Sequence, residues 1–153
     1  MTVELAHSTP HAWPGQEFAA LYAQAQHFYA HQMQLLDTHD THSWAATFTK
    51  DAVLELPFLP GPVAARTGLA RYERAGAARL RQAGARLHHW VGMLDIRPRP
   101  EGSLHTRCSA LVHTTPPQGS SKVLYVCVMQ DVLVRTHGTW RTAHRRVTRD
   151  DLT

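Results

Sequence analysis

Residues 86–149 read RLHHWVGMLDIRPRPEGSLHTRCSALVHTTPPQGSSKVLYVCVMQDVLVRTHGTWRTAHRRVTR. Four runs in this stretch favour strand over helix: Arg86–Arg97, Leu104–Thr115, Lys122–Thr136 and Trp140–Arg149. The breaks between them carry turn chemistry. They are Pro98 to Gly102 (PRPEG), Pro116 to Ser121 (PPQGSS) and His137-Gly138. Short turns join antiparallel neighbours, so the segment predicts a sheet of consecutive hairpins. Runs of about 12–15 residues are long for strands, and strands of that length bend.

Upstream, the periodicity changes. Phe18, Leu21, Tyr22, Ala25, Phe28, Tyr29, Met33 and Leu36 recur at helical spacing, which predicts a helix over Gln16–Leu36. Asp40 reads as the N-cap of a second short helix with Trp44 and Phe48 on its apolar face. Ala52–Leu56 is a short strand stopped by Pro57, Pro60 and Pro62. Thr67–Ala83 is a third helix, with a thin stripe of Leu69, Tyr72, Ala75 or Gly76, and Leu80. It is expected over the outside of the sheet or the mouth of a cavity, and Gly84 ends it. Residues 1–15 show little periodicity and read as a flexible arm, leaving 16–150 as one domain. Helices followed by hairpin-linked strands predict an α+β fold, N-terminal helices packed on a curved antiparallel sheet. Such a bent sheet, capped by a long helix, is a cone with an interior suited to one small hydrophobic molecule.

Composition narrows the function. Hydrophobic residues make up 43% of the 153 and charged residues 18%, an ordinary globular balance. No apolar run approaches the roughly 20 residues of a membrane helix, and no secretory signal is visible, so a cytoplasmic protein is expected. The net charge is +4, but the arginines are scattered and no basic strand is interleaved with aromatics. Nucleic acid is therefore not the expected partner. Cys108 and Cys127 fall on separate strands and read as reduced thiols. Among the 12 histidines, neither His39-x-x-His42 nor His88-His89 has a zinc spacing, and no metal is expected. No GxSxG elbow or Gly-rich phosphate loop is present, and no cofactor is expected.

The segment LDTHDTHSWAATFTKDAVLELP, from Leu36 to Pro57, resembles the SnoaL-like group of the nuclear-transport-factor-2-like superfamily. So does the ending DVLVRTHGTWRTAHRRV, from Asp131 to Val147. The resemblance covers roughly residues 16–150 and implies a cone-shaped α+β barrel. The superfamily contains cyclases, isomerases, dehydratases, binding proteins and non-catalytic oxygenase subunits, so fold alone does not give function. Three positions narrow the choice. Leu87-His88-His89-Trp90-Val91-Gly92 resembles the strand carrying the catalytic histidine of scytalone dehydratase, Asp37 falls where that enzyme has an aspartate, and His113 where it has a second pocket histidine. The pocket tyrosine and polar positions of that enzyme are replaced here by Leu36, Leu56, Cys127 and Met129, which implies a more apolar pocket.

The resemblance thus implies His89 as acid–base, Asp37 as its orienting partner and His113 as a second donor. His113 serves equally as a strand-end histidine beside the Pro116 turn. Tyr22 and Tyr29 either line the cavity or pack the core, and Trp44, Phe58, Trp90 and Met93 are core or cavity wall. The function implied is a cofactor-independent cyclase, dehydratase or isomerase acting on a hydrophobic small molecule in natural-product biosynthesis. The alternatives are the small subunit of a ring-hydroxylating dioxygenase, which the ending GTWRTAHRRV also resembles, and a ligand-binding module. A homodimer is expected, symmetric pairing being the commonest assembly.

Overall fold

The computed structural model describes residues 15–152. It opens with helix α1 (Gly15–Asp37), within one residue of both expected ends. Ala25, Phe28, Tyr29, Gln32 and Met33 are buried along one stripe of α1 at helical spacing. The chain turns at His39, which takes φ 60°. Asp40 then caps α2 (Thr41–Ala46), its carboxylate accepting from Ser43 N at 3.2 Å. The arm expected over residues 1–15 lies outside the described residues, apart from Gly15.

Phe48 does not belong to α2, contrary to expectation. It opens strand β1 (Phe48–Glu55). Thr47 decides the boundary: its hydroxyl donates to Trp44 O at 2.6 Å, and its carbonyl accepts from Thr142 N on the last strand at 2.9 Å. The helix is closed and the backbone handed to the sheet in one residue. A two-residue strand β2 (Val63–Ala64), too short for periodicity to reveal, follows the prolines.

Helix α3 (Arg66–Ala83) leads into β3 (Arg86–Pro98), β4 (Leu104–Thr115), β5 (Lys122–Thr136) and β6 (Thr139–Arg149). These four strands form the expected hairpin series, within a six-stranded sheet of order β2-β1-β6-β5-β4-β3. The sheet is mixed, however, because β1 pairs parallel with β6. No hairpin turn links those two strands, so nothing local sets their relative direction, and the chain between them is the crossover that parallel pairing needs. The sheet is curved and unclosed. Register shifts between Gly92 and Asp95, at Val112/His113 and at Val132/Leu133 accompany the bending. No described helix is long and apolar enough to cross a membrane.

Two buried clusters flank the interior. One joins α1 to β3, β4 and β5 through Phe28, Tyr29, Met33, Leu94, Ile96, Leu104 and Leu133. The other joins α2, β1 and α3 through Trp44, Phe48, Ala52, Leu54 and Leu69. Gly84 fixes the passage from α3 to the sheet. It takes φ 63°, and a Cβ there would lie 2.9 Å from Pro117 Cγ. Gly84→Ala is expected to destabilise the protein by about 1–2 kcal/mol from backbone conformation alone. The check is a lower denaturant midpoint at unchanged m.

Candidate active site

A cavity of about 560 Å³ opens between the two clusters. Its walls are mostly apolar, among them Met33, Leu36, Trp44, Leu54, Leu80 and Val147. A groove of about 1070 Å³ runs outside it, between α1 and β3. Asp37, His39 and His89 line both spaces, so they stand at the boundary between them.

Alternation along β3 puts His89 inward with Leu87, while His88 is exposed. Strand β3 is at the sheet edge. Asp37, the last residue of α1, takes up the His89 N–H with both carboxylate oxygens, at 3.2 and 3.1 Å. The same carboxylate meets the His89 ring, Nδ1 to Oδ1 at 2.6 Å. A carboxylate at a helix C-terminus opposes the helix dipole; the two His89 donors offset that. Ionised Asp37 only accepts, so the shared proton sits on Nδ1 and leaves Nε2 as the basic nitrogen of the neutral ring. Among the described residues no hydrogen bond engages Nε2.

His113 is not brought to this site. It pairs with His88 across β3 and β4, whereas His89 pairs with Val112. Side chains alternate with period 2, so His113 projects from the opposite sheet face and Val112 takes the cavity position. The expectation that His113 opens into the same space is therefore corrected. Of the other candidates, Trp44, Leu56, Phe58, Cys127 and Met129 line the cavity. Tyr29 lines the groove, but its hydroxyl is committed internally. The Tyr22 hydroxyl donates to Leu94 O at 3.2 Å and Tyr22 borders neither space. Trp90 borders only the groove and is 59% exposed. Met93, 86% exposed at the β3 bulge, borders neither, because the register shift turns it outward.

Beneath the cavity lies a buried polar cluster. Arg145, itself a wall residue, donates from Nε to Asp131 Oδ1 at 2.9 Å and from Nη2 to Oδ2 at 2.8 Å. Nη2 also donates to Gln32 Oε1 at 2.5 Å. The Tyr29 hydroxyl donates to Asp131 Oδ2 at 2.7 Å and meets Thr106 Oγ1 at 2.5 Å. Burial works against the Arg145 charge, but Asp131, Tyr29 and Cys108 together hold its pKa above the ordinary value. Burial, then Asp131, pushes Tyr29 well up, so it stays a phenol. Burial also pushes the Cys108 thiol up to about 12 and raises Cys127, so both are protonated, and neither is in a disulfide. Among the described residues no group of three or more His, Cys, Asp or Glu is placed to hold a metal.

Glu73 of α3 is, with Arg145, a cavity residue that the sequence reading misses. It lines the same wall as Tyr72, Gly76 and Leu80. Its signal is a charge seven residues before Leu80 and four after Leu69, on the apolar stripe itself. Burial, then the neighbouring Asp37 charge, raises its pKa to about 7, against the pull of Arg79. A raised carboxyl contributes stability that is complete below its unfolded pKa and is lost as pH climbs through the folded one. Between about pH 4.5 and 7 the fold should lose stability with a slope of up to about 1.4 kcal/mol per pH unit from this group. Glu73→Gln should remove that slope and leave the protein more stable than wild type at pH 8. Thermal unfolding of both proteins across this range is the measurement.

The SnoaL-like domain model matches residues 17–146. The chain belongs to the SnoaL-like domain family. Solved structures match over most of the chain. Aln2 from a Streptomyces species is 34% identical with a TM-score of 0.80, covering 87% of this chain and 93% of its own. ActVI-ORFA from Streptomyces coelicolor is 28% identical with a TM-score of 0.82, covering 88% and 98%. A Catenulispora acidiphila protein in complex with S-DNPA is 32% identical with a TM-score of 0.78, covering 87% and 96%. A scytalone dehydratase-type protein and a ring-hydroxylating dioxygenase β subunit, both of Novosphingobium aromaticivorans, are 13% and 21% identical and share the fold alone. No match was found among curated proteins.

Proposed function

We propose that this SnoaL-like protein is a cofactor-independent acid–base enzyme, a cyclase, dehydratase or isomerase, acting on a hydrophobic small molecule in natural-product biosynthesis. The observation that carries this is the His89–Asp37 contact at the edge of an apolar cavity. Asp37 fixes the ring and its tautomer. Nε2 then removes a proton from a bound carbon acid, and Asp37 stabilises the imidazolium that forms. The cavity, about 560 Å³, is within the range of small-molecule sites and takes a flat bicyclic or tricyclic body. Leu56, Phe58, Cys127 and Met129 supply apolar contact to it. The ligand carried by the Catenulispora relative supports a small-molecule occupant here too. On the outer sheet face, Trp90, Val123 and Val126 are exposed, which suits pairing with a second copy.

The test has two stages. S-DNPA is titrated as a first binding probe. Intermediates of the neighbouring biosynthetic pathway are then incubated with the protein and followed by NMR for loss or rearrangement. Turnover supports the enzyme; saturable binding without any turnover would favour a carrier instead.

A further inference from the structure

We infer that Glu73 is the proton donor to a substrate carbonyl oxygen in this cavity, working with His89 from a separate wall. The inference rests on the acid–base reading above and adds its second half. A base that removes a proton next to a carbonyl drives charge onto the carbonyl oxygen, and a donor at that oxygen is what lowers the barrier. Trp44 Nε1 and His39 Nδ1 are also unpartnered on the described cavity walls, but Glu73 is the wall carboxyl that no hydrogen bond engages and that keeps a transferable proton to about pH 7.

The ionisable groups around Glu73 come from every wall. They are Asp37 at the end of α1 and His39 just after it, Tyr72 and Arg79 on α3, His89 on β3, Tyr125 and Cys127 on β5, and Arg145 and Arg149 on β6. Four of them are already engaged. Asp37 holds His89, Arg145 holds Asp131, and Arg149 pairs with Asp151. Glu73 is not engaged: the influences on its carboxyl are burial and the charges of Asp37 and Arg79, with no hydrogen bond among them. Arg79 is exposed, which weakens its hold. Burial and Asp37 both favour the neutral acid, and a neutral carboxyl is a hydrogen-bond donor. Two carboxyls thus line one cavity with different partners: Asp37 is bonded to imidazole, and Glu73, with no hydrogen bond, keeps its proton to about pH 7.

The step balances without a co-reactant. His89 Nε2 takes the proton from the carbon next to the carbonyl. The C–H electron pair becomes the C=C bond of an enol. The C=O π pair takes the proton from the Glu73 carboxyl. The products are the enol, imidazolium and the Glu73 carboxylate, and proton return through solvent resets both groups. The enol is a common intermediate for cyclisation, elimination or isomerisation.

The probe is 1-tetralone, a neutral bicyclic ketone with an exchangeable C–H beside its carbonyl. Its affinity is read from tryptophan fluorescence at pH 6 and pH 8, and its C2 hydrogen–deuterium exchange by NMR. If the protonated carboxyl binds the carbonyl, wild type should bind about tenfold more weakly at pH 8 than at pH 6. Glu73→Gln should bind equally at both, because the amide still donates, yet exchange should fall at least about tenfold because an amide does not transfer the proton. Equal wild-type affinity at the two pH values, no saturable binding at pH 6, or a pH dependence that survives in Glu73→Gln overturns the inference; the last assigns the titration to a histidine. His89→Gln separates the two readings. It should lose exchange but keep the pH-dependent binding. Full exchange in that variant would defeat the His89 reading while leaving Glu73 as the donor.

Discussion

His89→Gln is expected to lower kcat by about 10²–10⁴-fold, while ligand affinity stays within a few-fold of wild type. A general base acts as the proton moves, so its loss is felt in the transition state far more than in the ground state. The variant should remain folded. Glutamine offers Asp37 a side-chain N–H in place of Nδ1, and the His89 backbone N–H, which also bonds that carboxylate, is unchanged. Asp37→Asn should be milder, because an amide can still hold the ring but carries no charge to stabilise the imidazolium. The check is single-turnover kinetics beside equilibrium binding. Near-full activity in His89→Gln would place catalysis elsewhere, or assign it to cavity shape alone, since orientation can contribute about 7–11 kcal/mol in favourable cases.

Much of this arrangement is written locally in the chain, and the exceptions have physical causes. Proline and glycine clusters bracket β4 and β5, whose observed ends coincide with those read from turn chemistry. His89 and Asp37 meet across 52 positions of sequence, and only the resemblance pairs them in advance. The parallel β1–β6 pairing is not legible, because no turn of its own encodes it. His113 goes astray because facing depends on register parity. Ser109, Leu111 and His113 share one face of β4, and the resemblance puts His113 in the pocket although the opposite face, Cys108, Ala110 and Val112, is the more apolar. Those three residues are the buried face in the structure. Glu73 hides for a related reason. Beside Tyr72, the stripe of α3 reads as complete without it, and a lone charge on a helix reads as solvated.

Asp131→Ala is expected to be among the most destabilising single substitutions in the chain, although Asp131 touches neither the cavity nor the groove. Asp131 and Arg145 are almost fully buried, and the carboxylate accepts both ends of the guanidinium fork and the Tyr29 hydroxyl. Removing it leaves a buried cation whose remaining polar contact is Gln32, and a buried phenol with Thr106 alone. Breaking a buried pair in this way costs about 3–5 kcal/mol, against a total stability of about 5–15 kcal/mol. At about 2–4 °C per kcal/mol for a domain of this size, Tm should fall by roughly 6–20 °C. The pair itself need not add net stability, since desolvating two charges offsets most of their attraction. The double variant Asp131→Leu with Arg145→Met tests that distinction. It removes both charges at similar volume and should recover much of the loss seen in Asp131→Leu alone. A double variant as unstable as the single would show that the cost lies in the lost Tyr29 and Gln32 hydrogen bonds rather than in the stranded charge. Arg145 also lines the cavity, so the recovered protein would carry a more apolar wall, and any change in its ligand affinity would measure the guanidinium's part in binding separately from its part in folding.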